Sequence, residues 1–149
     1  MDELTKRMCA NTLTLMNSSL SESFIEAVLN RLVSFGCCLK EEDSWAICFA
    51  IQKTESTIKN SCNTTSIPEG LFHIAVDRAC GEFLFAQKQT GQLHLAELDL
   101  TGALTQISEG DTTVSFAAGA SDEDKFNTLV NFLMNKGEGE FVCYRQLKW

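Results

Sequence analysis

This sequence is short of several things at once. It holds one proline, Pro68, in 149 residues. Proline removes an amide donor and breaks helix interiors, so little here interrupts long helices. It holds two histidines, His73 and His94. Neither stands with Cys, Asp or Glu at metal-ligand spacing. No CxxC, HExxH or GxSxG occurs, which leaves no zinc ribbon, metalloprotease helix or nucleophile elbow. "SEGD" and "NKGEGE" lack the GxGxxG and GxxxxGK[ST] spacings that cradle nucleotide phosphates. No metal, cofactor or catalytic constellation is expected.

Positive charge is also scarce. Twelve Lys and Arg face twenty acids, a formal net charge of -8. A field of that sign opposes nonspecific adhesion to DNA. Lys6 with Arg7, and Arg145 with Lys148, are too few to build a basic patch. Long apolar runs are missing too. The longest is Trp45 to Ile51, against the ~20 residues a membrane helix needs. The opening "MDELTKRMCANT" has no apolar signal core, so a soluble intracellular protein without membrane contact is the expectation. The sequons at Asn17 and Asn63 then read as chance matches.

What is present suits one globular domain over residues 1–149. The chain is 44% apolar, and at this length about two thirds of the extended surface can be buried. Seven cysteines, an odd number, sit mostly in apolar surroundings. They read as reduced core thiols.

Helical periodicity runs through most of the chain. Residues 3–16 form a candidate first helix with Leu4, Met8 and Leu15 on one side, against a Thr and Asn content that lowers propensity. Residues 20–35 form a clearer one. Ser19 and Glu22 stand in capping-box spacing, Phe24, Ile25, Val28, Leu29, Leu32 and Phe35 make the stripe, and Gly36 is the stop. Asp43 is placed to cap a helix reaching about Cys62. Its first half is apolar nearly all round and reads as the central helix. Its distal half keeps only Ile58 and Cys62 on the Ile47–Ile51 stripe, so half-exposure is expected there. Trp45 reads as a core or helix–helix contact.

Ser66 and Glu69 have capping-box spacing for the next helix, with Pro68 in its first turn. Leu71, Ala75, Ala79 and Phe83 repeat every fourth residue, widened by Ile74, Val76, Cys80 and Leu84. Gly81 within the stripe implies close helix packing. Arg78 and Glu82 are spaced for an i,i+4 ion pair, and Gly91 ends the helix. Residues 92–107 stay unresolved between an irregular strand near 93 and a short helix near 101–107. "TTVSFA", residues 112–117, favours extended backbone. Ser121 and Asp124 cap the last helix, with acids at its positive dipole end and Phe126, Leu129, Val130 and Leu133 as its stripe. "FVCYRQLKW" reads as an extended tail, and its Trp149 either closes the chain's own core or anchors a neighbour.

The fold expected is therefore mainly α: a small bundle of four to five helices. An extended loop or short β arm precedes the last helix, and an extended tail follows it.

The ordered segments "DSWAICFAIQKTESTIKNSCN", "IPEGLFHIAVDRACGEFL", "QTGQL", "ISEGDTTVSFAAG", "EDKFNTLVNFLM" and "FVCYRQLKW" carry a resemblance. Over about residues 42–149 the chain resembles the head–tail connector, or adaptor, proteins of tailed phages and prophage elements of Gram-positive bacteria. Residues 1–40 match less clearly.

The resemblance implies a helical virion protein of the neck, assembled in the host cytoplasm. Its copies form a ring of about twelve subunits beneath the portal protein. The ring extends the DNA channel, lets DNA pass without sequence-specific binding, and receives the next neck or tail-completion protein. The loop Glu109 to Gly119 then holds subunits together or lines the channel. The segment Phe141 to Trp149 lies toward the portal or an adjacent subunit. The implied interface residues are Asp111, Thr113, Val114, Phe116, Tyr144, Arg145 and Trp149, with Arg78 on the helix that follows Pro68.

Two other readings stand beside it. One is a small regulatory helical protein of phage origin that binds a host partner through a surface cleft. The other is an enzyme built on His73, Asp77 and Cys80, which lie at i, i+4 and i+7, partly on one helical face.

Overall fold

The computed structural model describes residues 3, 7, 8, 10, 22–37, 39–64, 67–91, 93, 95, 98–100, 102, 103, 121–137 and 139–141. Among them the protein is mainly helical, with four helices and no strand. They are α1 (Glu22–Ser34), α2 (Ser44–Cys62), α3 (Phe72–Gln89) and α4 (Asp122–Asn135). Short 3-10 turns at Glu41–Asp43 and Glu69–Leu71 lead into α2 and α3.

The stripes read from the sequence are the ones buried. On α1, Phe24, Ile25, Val28, Leu29 and Leu32 face inward, and Phe35 follows them into the core. On α4, Phe126, Leu129, Val130 and Leu133 do the same. Met8 is helical and fully buried against this core. Gly36 closes α1 in the left-handed region, φ 86°, where glycine has no Cβ to clash. The Ser121 hydroxyl accepts a hydrogen bond from the Asp124 amide at 3.2 Å and caps α4 as its spacing implies.

α3 is the hub, not the first half of α2. It packs on α1, α2 and α4. Its residues Ile74 to Asp77 and Ala79 to Gly81 are all buried. Small side chains explain this position. Ala75 and Ala79 let neighbours approach. At Gly81 an added Cβ would stand 2.9 Å from Leu133 Cβ and 2.9 Å from Met134 Cγ on α4. The close packing expected of Gly81 is therefore the α3–α4 contact.

Two expected caps are made differently. Asp43 gives α2 no side-chain cap. Its carboxylate instead accepts the Lys40 amide at 2.9 Å, closing the 3-10 turn, and accepts Gln87 Nε2 of α3 at 3.2 Å. α3 starts at Phe72, after the 3-10 turn that Pro68 leads into, so Glu69 stands ahead of the α-helix proper. Ser19 and Ser66 lie outside the described residues. Leu100, Gly102 and Ala103 are helical, within the stretch that sequence left open. The Asp99 carboxylate starts that turn by accepting the Gly102 amide at 3.1 Å. The Asp99 amide ties it to α1 by donating to the Phe35 carbonyl at 3.0 Å.

The expected arm over 109–119, the extended tail after Phe141 and the residues between Asn11 and Ser21 lie outside the described residues.

Candidate functional site

Of the eight interface residues expected, seven lie outside the described residues: Asp111, Thr113, Val114, Phe116, Tyr144, Arg145 and Trp149. Arg78 is described, and it is half-buried. Its Nε donates to the Lys136 carbonyl just past α4 at 2.7 Å, and its guanidinium lies 4.6 Å from the Phe141 ring centroid. Glu82, its expected i,i+4 partner, pairs across to Lys53 of α2 at 3.1 Å. These long-range contacts place Arg78 at a helix junction.

The cluster of His73, Asp77 and Cys80 is not assembled as one site. His73 is exposed, while Asp77 and Cys80 are buried. Cys80 donates its S–H to the Val28 carbonyl of α1 at 3.6 Å. Burial, and then the Asp77 carboxylate, push its thiol well above the ordinary value. A thiol held protonated is a poor nucleophile and a poor metal ligand. Cys37, Cys48 and Cys62 are also buried, and none of them is in a disulfide. Burial raises Cys48 and Cys62 as well. The core-thiol expectation holds for these four. Among the described residues no group of three His, Cys, Asp or Glu is placed to hold a metal. No helix among them is long and apolar enough to cross a membrane.

Two surfaces stand out among the described residues. The first is a ridge of aromatic side chains on α2 and α3. Trp45 and Phe49 are each 67% exposed, one helical turn apart on α2, and Phe85 of α3 is 43% exposed beside them. Trp45 is thus a surface residue, contrary to its expected core role. The reason is phase. Ile47, Ile51, Thr54, Ile58 and Cys62 take the inward face of α2, and Trp45 and Phe49 fall on the other side. A shallow cavity of about 280 Å³ runs between Phe49 and Phe85, floored by Ala46, Ala50 and Ala86. The Lys53–Glu82 pair borders one end of the ridge. Exposed Glu41 and Glu42 border the other.

The second surface is a groove of about 470 Å³ where α1, the start of α3 and the turn after α4 meet. Its floor is Asp77, whose side chain is 7% exposed and which carries two cations. Arg31 Nε meets Oδ1 at 3.2 Å, and Lys136 Nζ meets Oδ2 at 2.6 Å. The carboxylate is the buried member, while Arg31 and Lys136 are 29% and 34% exposed. The groove therefore turns its positive charge outward. Ala27, Phe72 and Val76 supply apolar wall, and Asn30 stands exposed on the rim.

Ridge and groove sit at opposite ends of α3 and beside different partner helices. Phe72 and Phe85 stand thirteen positions apart on α3, roughly 20 Å of helix. The molecule is a small mainly-α bundle with two unlike surfaces, one aromatic and one cationic. No family model, curated protein or solved structure matches this chain.

The sequence held a signal for the ridge. The first half of α2 is apolar nearly all round, which implies partners on more than one side. The periodicity does not say whether the second partner belongs to the same chain.

Proposed function

We propose that the chain is a structural adaptor of the head–tail junction of a tailed phage. In this reading its copies form a ring under the portal, continue the DNA channel and receive the next neck protein. The observation that carries it is the aromatic ridge. Among the described residues the exposed large apolar side chains are Val33, Trp45, Phe49 and Phe85, and the three aromatic ones stand together as a surface suited to another protein. The resemblance of residues 42–149 to phage connectors supplies the identity of that protein and the ring. The arm at 109–119 and the tail at 141–149 would add subunit and portal contacts. The net charge of -8 suits a conduit through which DNA slides without adhering.

The second reading, a small phage-derived regulator that grips one host partner, is favoured by the groove over Asp77. A concave, part-apolar surface with a few fixed charges is an ordinary ligand-binding shape.

Electron microscopy of the protein alone and mixed with its cognate portal, with mass measurement on the same samples, separates the two. A ring of about twelve subunits stacked on the portal is the expected result. An intact portal that stays bare sinks the adaptor reading and turns attention to partner capture through the groove.

A further inference from the structure

The structure assigns the aromatic ridge and the cationic groove to each other: we infer that Trp45 and Phe49 of one copy seat in the Arg31–Asp77–Lys136 groove of the next. This rests on the adaptor reading and names the contact that would build its ring.

Three observations converge on a second copy as occupant. The first is charge. The ridge begins at exposed Glu41 and Glu42. The groove presents Arg31 and Lys136 above a buried carboxylate. Docked together, the acids of one copy meet the cations of the next, and the chain's own -8 charge is locally offset where it would otherwise repel. The second is shape. The ridge projects two aromatic rings one turn apart, and the groove is an open cavity of about 470 Å³ with apolar wall at Ala27, Phe72 and Val76.

The third is area. An aromatic side chain buries about 150–250 Å². At exposures of 67%, 67% and 43%, the three rings offer roughly 270–440 Å², against the ~800 Å² per partner of a stable interface. A two-fold pairing of ridge on ridge uses that area once and leaves the groove open. A head-to-tail contact uses ridge and groove in every copy, so each subunit is held twice. Unlike surfaces at opposite ends of one helix give a heterologous contact, which closes into a ring when the rotation fits. The small area of each contact also explains why a ring would complete on a template and dissociate in dilute solution.

The test uses two surface variants. Trp45→Glu spoils the ridge, and Asn30→Trp fills the groove. Both positions are exposed, and circular dichroism should show unaltered helix content. Mass measurement follows the wild type from micromolar to about millimolar concentration. The wild type is expected to form a series of oligomers. Each variant alone should lose every species above monomer. A one-to-one mixture should recover dimers and stop there, because each dimer pairs the only good ridge with the only good groove.

Oligomers of Asn30→Trp alone would overturn the contact in favour of ridge on ridge. A mixture without dimers, or a wild type that stays monomeric throughout, also overturns it. The portal gives the independent arm. Rings on the portal that survive both variants remove this contact and leave the adaptor reading standing. Recovered dimers with no portal binding keep the contact and remove that reading.

Discussion

Thr54 is a polar side chain whose position costs stability. It is 2% exposed on the inward face of α2, and its Oγ1 has no hydrogen-bond partner. A buried hydroxyl without a partner forfeits about 1–3 kcal/mol of hydration. Valine has the same branching without the hydroxyl. Thr54→Val is expected to stabilise the fold by about 1 kcal/mol, seen as a higher urea midpoint at unchanged slope. A lower midpoint would mean that the hydroxyl has a partner in solution. The buried thiols make a second residue-scale prediction. Cys80, Cys48 and Cys62 are all raised above the ordinary value of 9.0. A raised thiol keeps its proton in the folded chain at a pH where the unfolded chain has lost it. Stability is then full below about pH 9 and falls as pH climbs past that value towards the folded pKa values. Cys80→Ala should flatten that alkaline decline in denaturation midpoints measured from pH 7 to 10. An equal slope in the variant would assign the decline to other groups.

At the scale of elements, helix packing is set by how near two backbones can come. Gly81 is a point of close approach between α3 and α4, with Leu133 Cβ and Met134 Cγ each 2.9 Å from where a Cβ would stand. Alanine raises intrinsic helix propensity by ~1 kcal/mol, yet overpacking costs about 1–3 kcal/mol. Gly81→Ala is expected to lose on balance by up to about 2 kcal/mol, with the thermal midpoint as the readout. A stabilised variant would show that α4 yields without strain. The helices themselves were legible, because Phe24 to Phe35 and Phe126 to Leu133 repeat with the helical period and meet clear stops. The caps were less so. Asp43 has the right residue type ahead of α2, but its carboxylate is taken by the Lys40 amide and Gln87, and Gln87 comes from a helix distant in sequence. The hub was misplaced for a related reason. α2 is the more continuously apolar helix, but the small residues of α3 decide which helix the others can surround.

For the whole molecule, the deciding matter is what lies on the outside. Trp45 read as core because an aromatic in an apolar helix is usually inside. One sequence carries no record of which apolar face meets its own chain and which meets another. The groove was hidden for a different reason. Arg31, Asp77 and Lys136 come from three elements, and only folding brings them within 3.2 Å and 2.6 Å contacts. The net charge was legible, and it carries a prediction. A protein at -8 should not retard duplex DNA in a gel at about 50 mM salt, where electrostatic binding is strong. Retardation there would contradict the proposed channel for free passage.

Lys136 is gripped twice by neighbouring residues of α3. Asp77 holds its ammonium at 2.6 Å, and Arg78 holds its carbonyl at 2.7 Å. Next to it, Gly137 takes φ +75° with the Ile74 side chain where a Cβ would stand. Each residue of an α-helix turns the chain by about 100° and advances it by about 1.5 Å. Adding or deleting a single residue within α4 would therefore swing Lys136 away from both grips at once. Side chains along the outer face of α4 are free to change, but its length is not. Among descendants of this chain, drift in α4 should appear as replacement and almost never as insertion or loss.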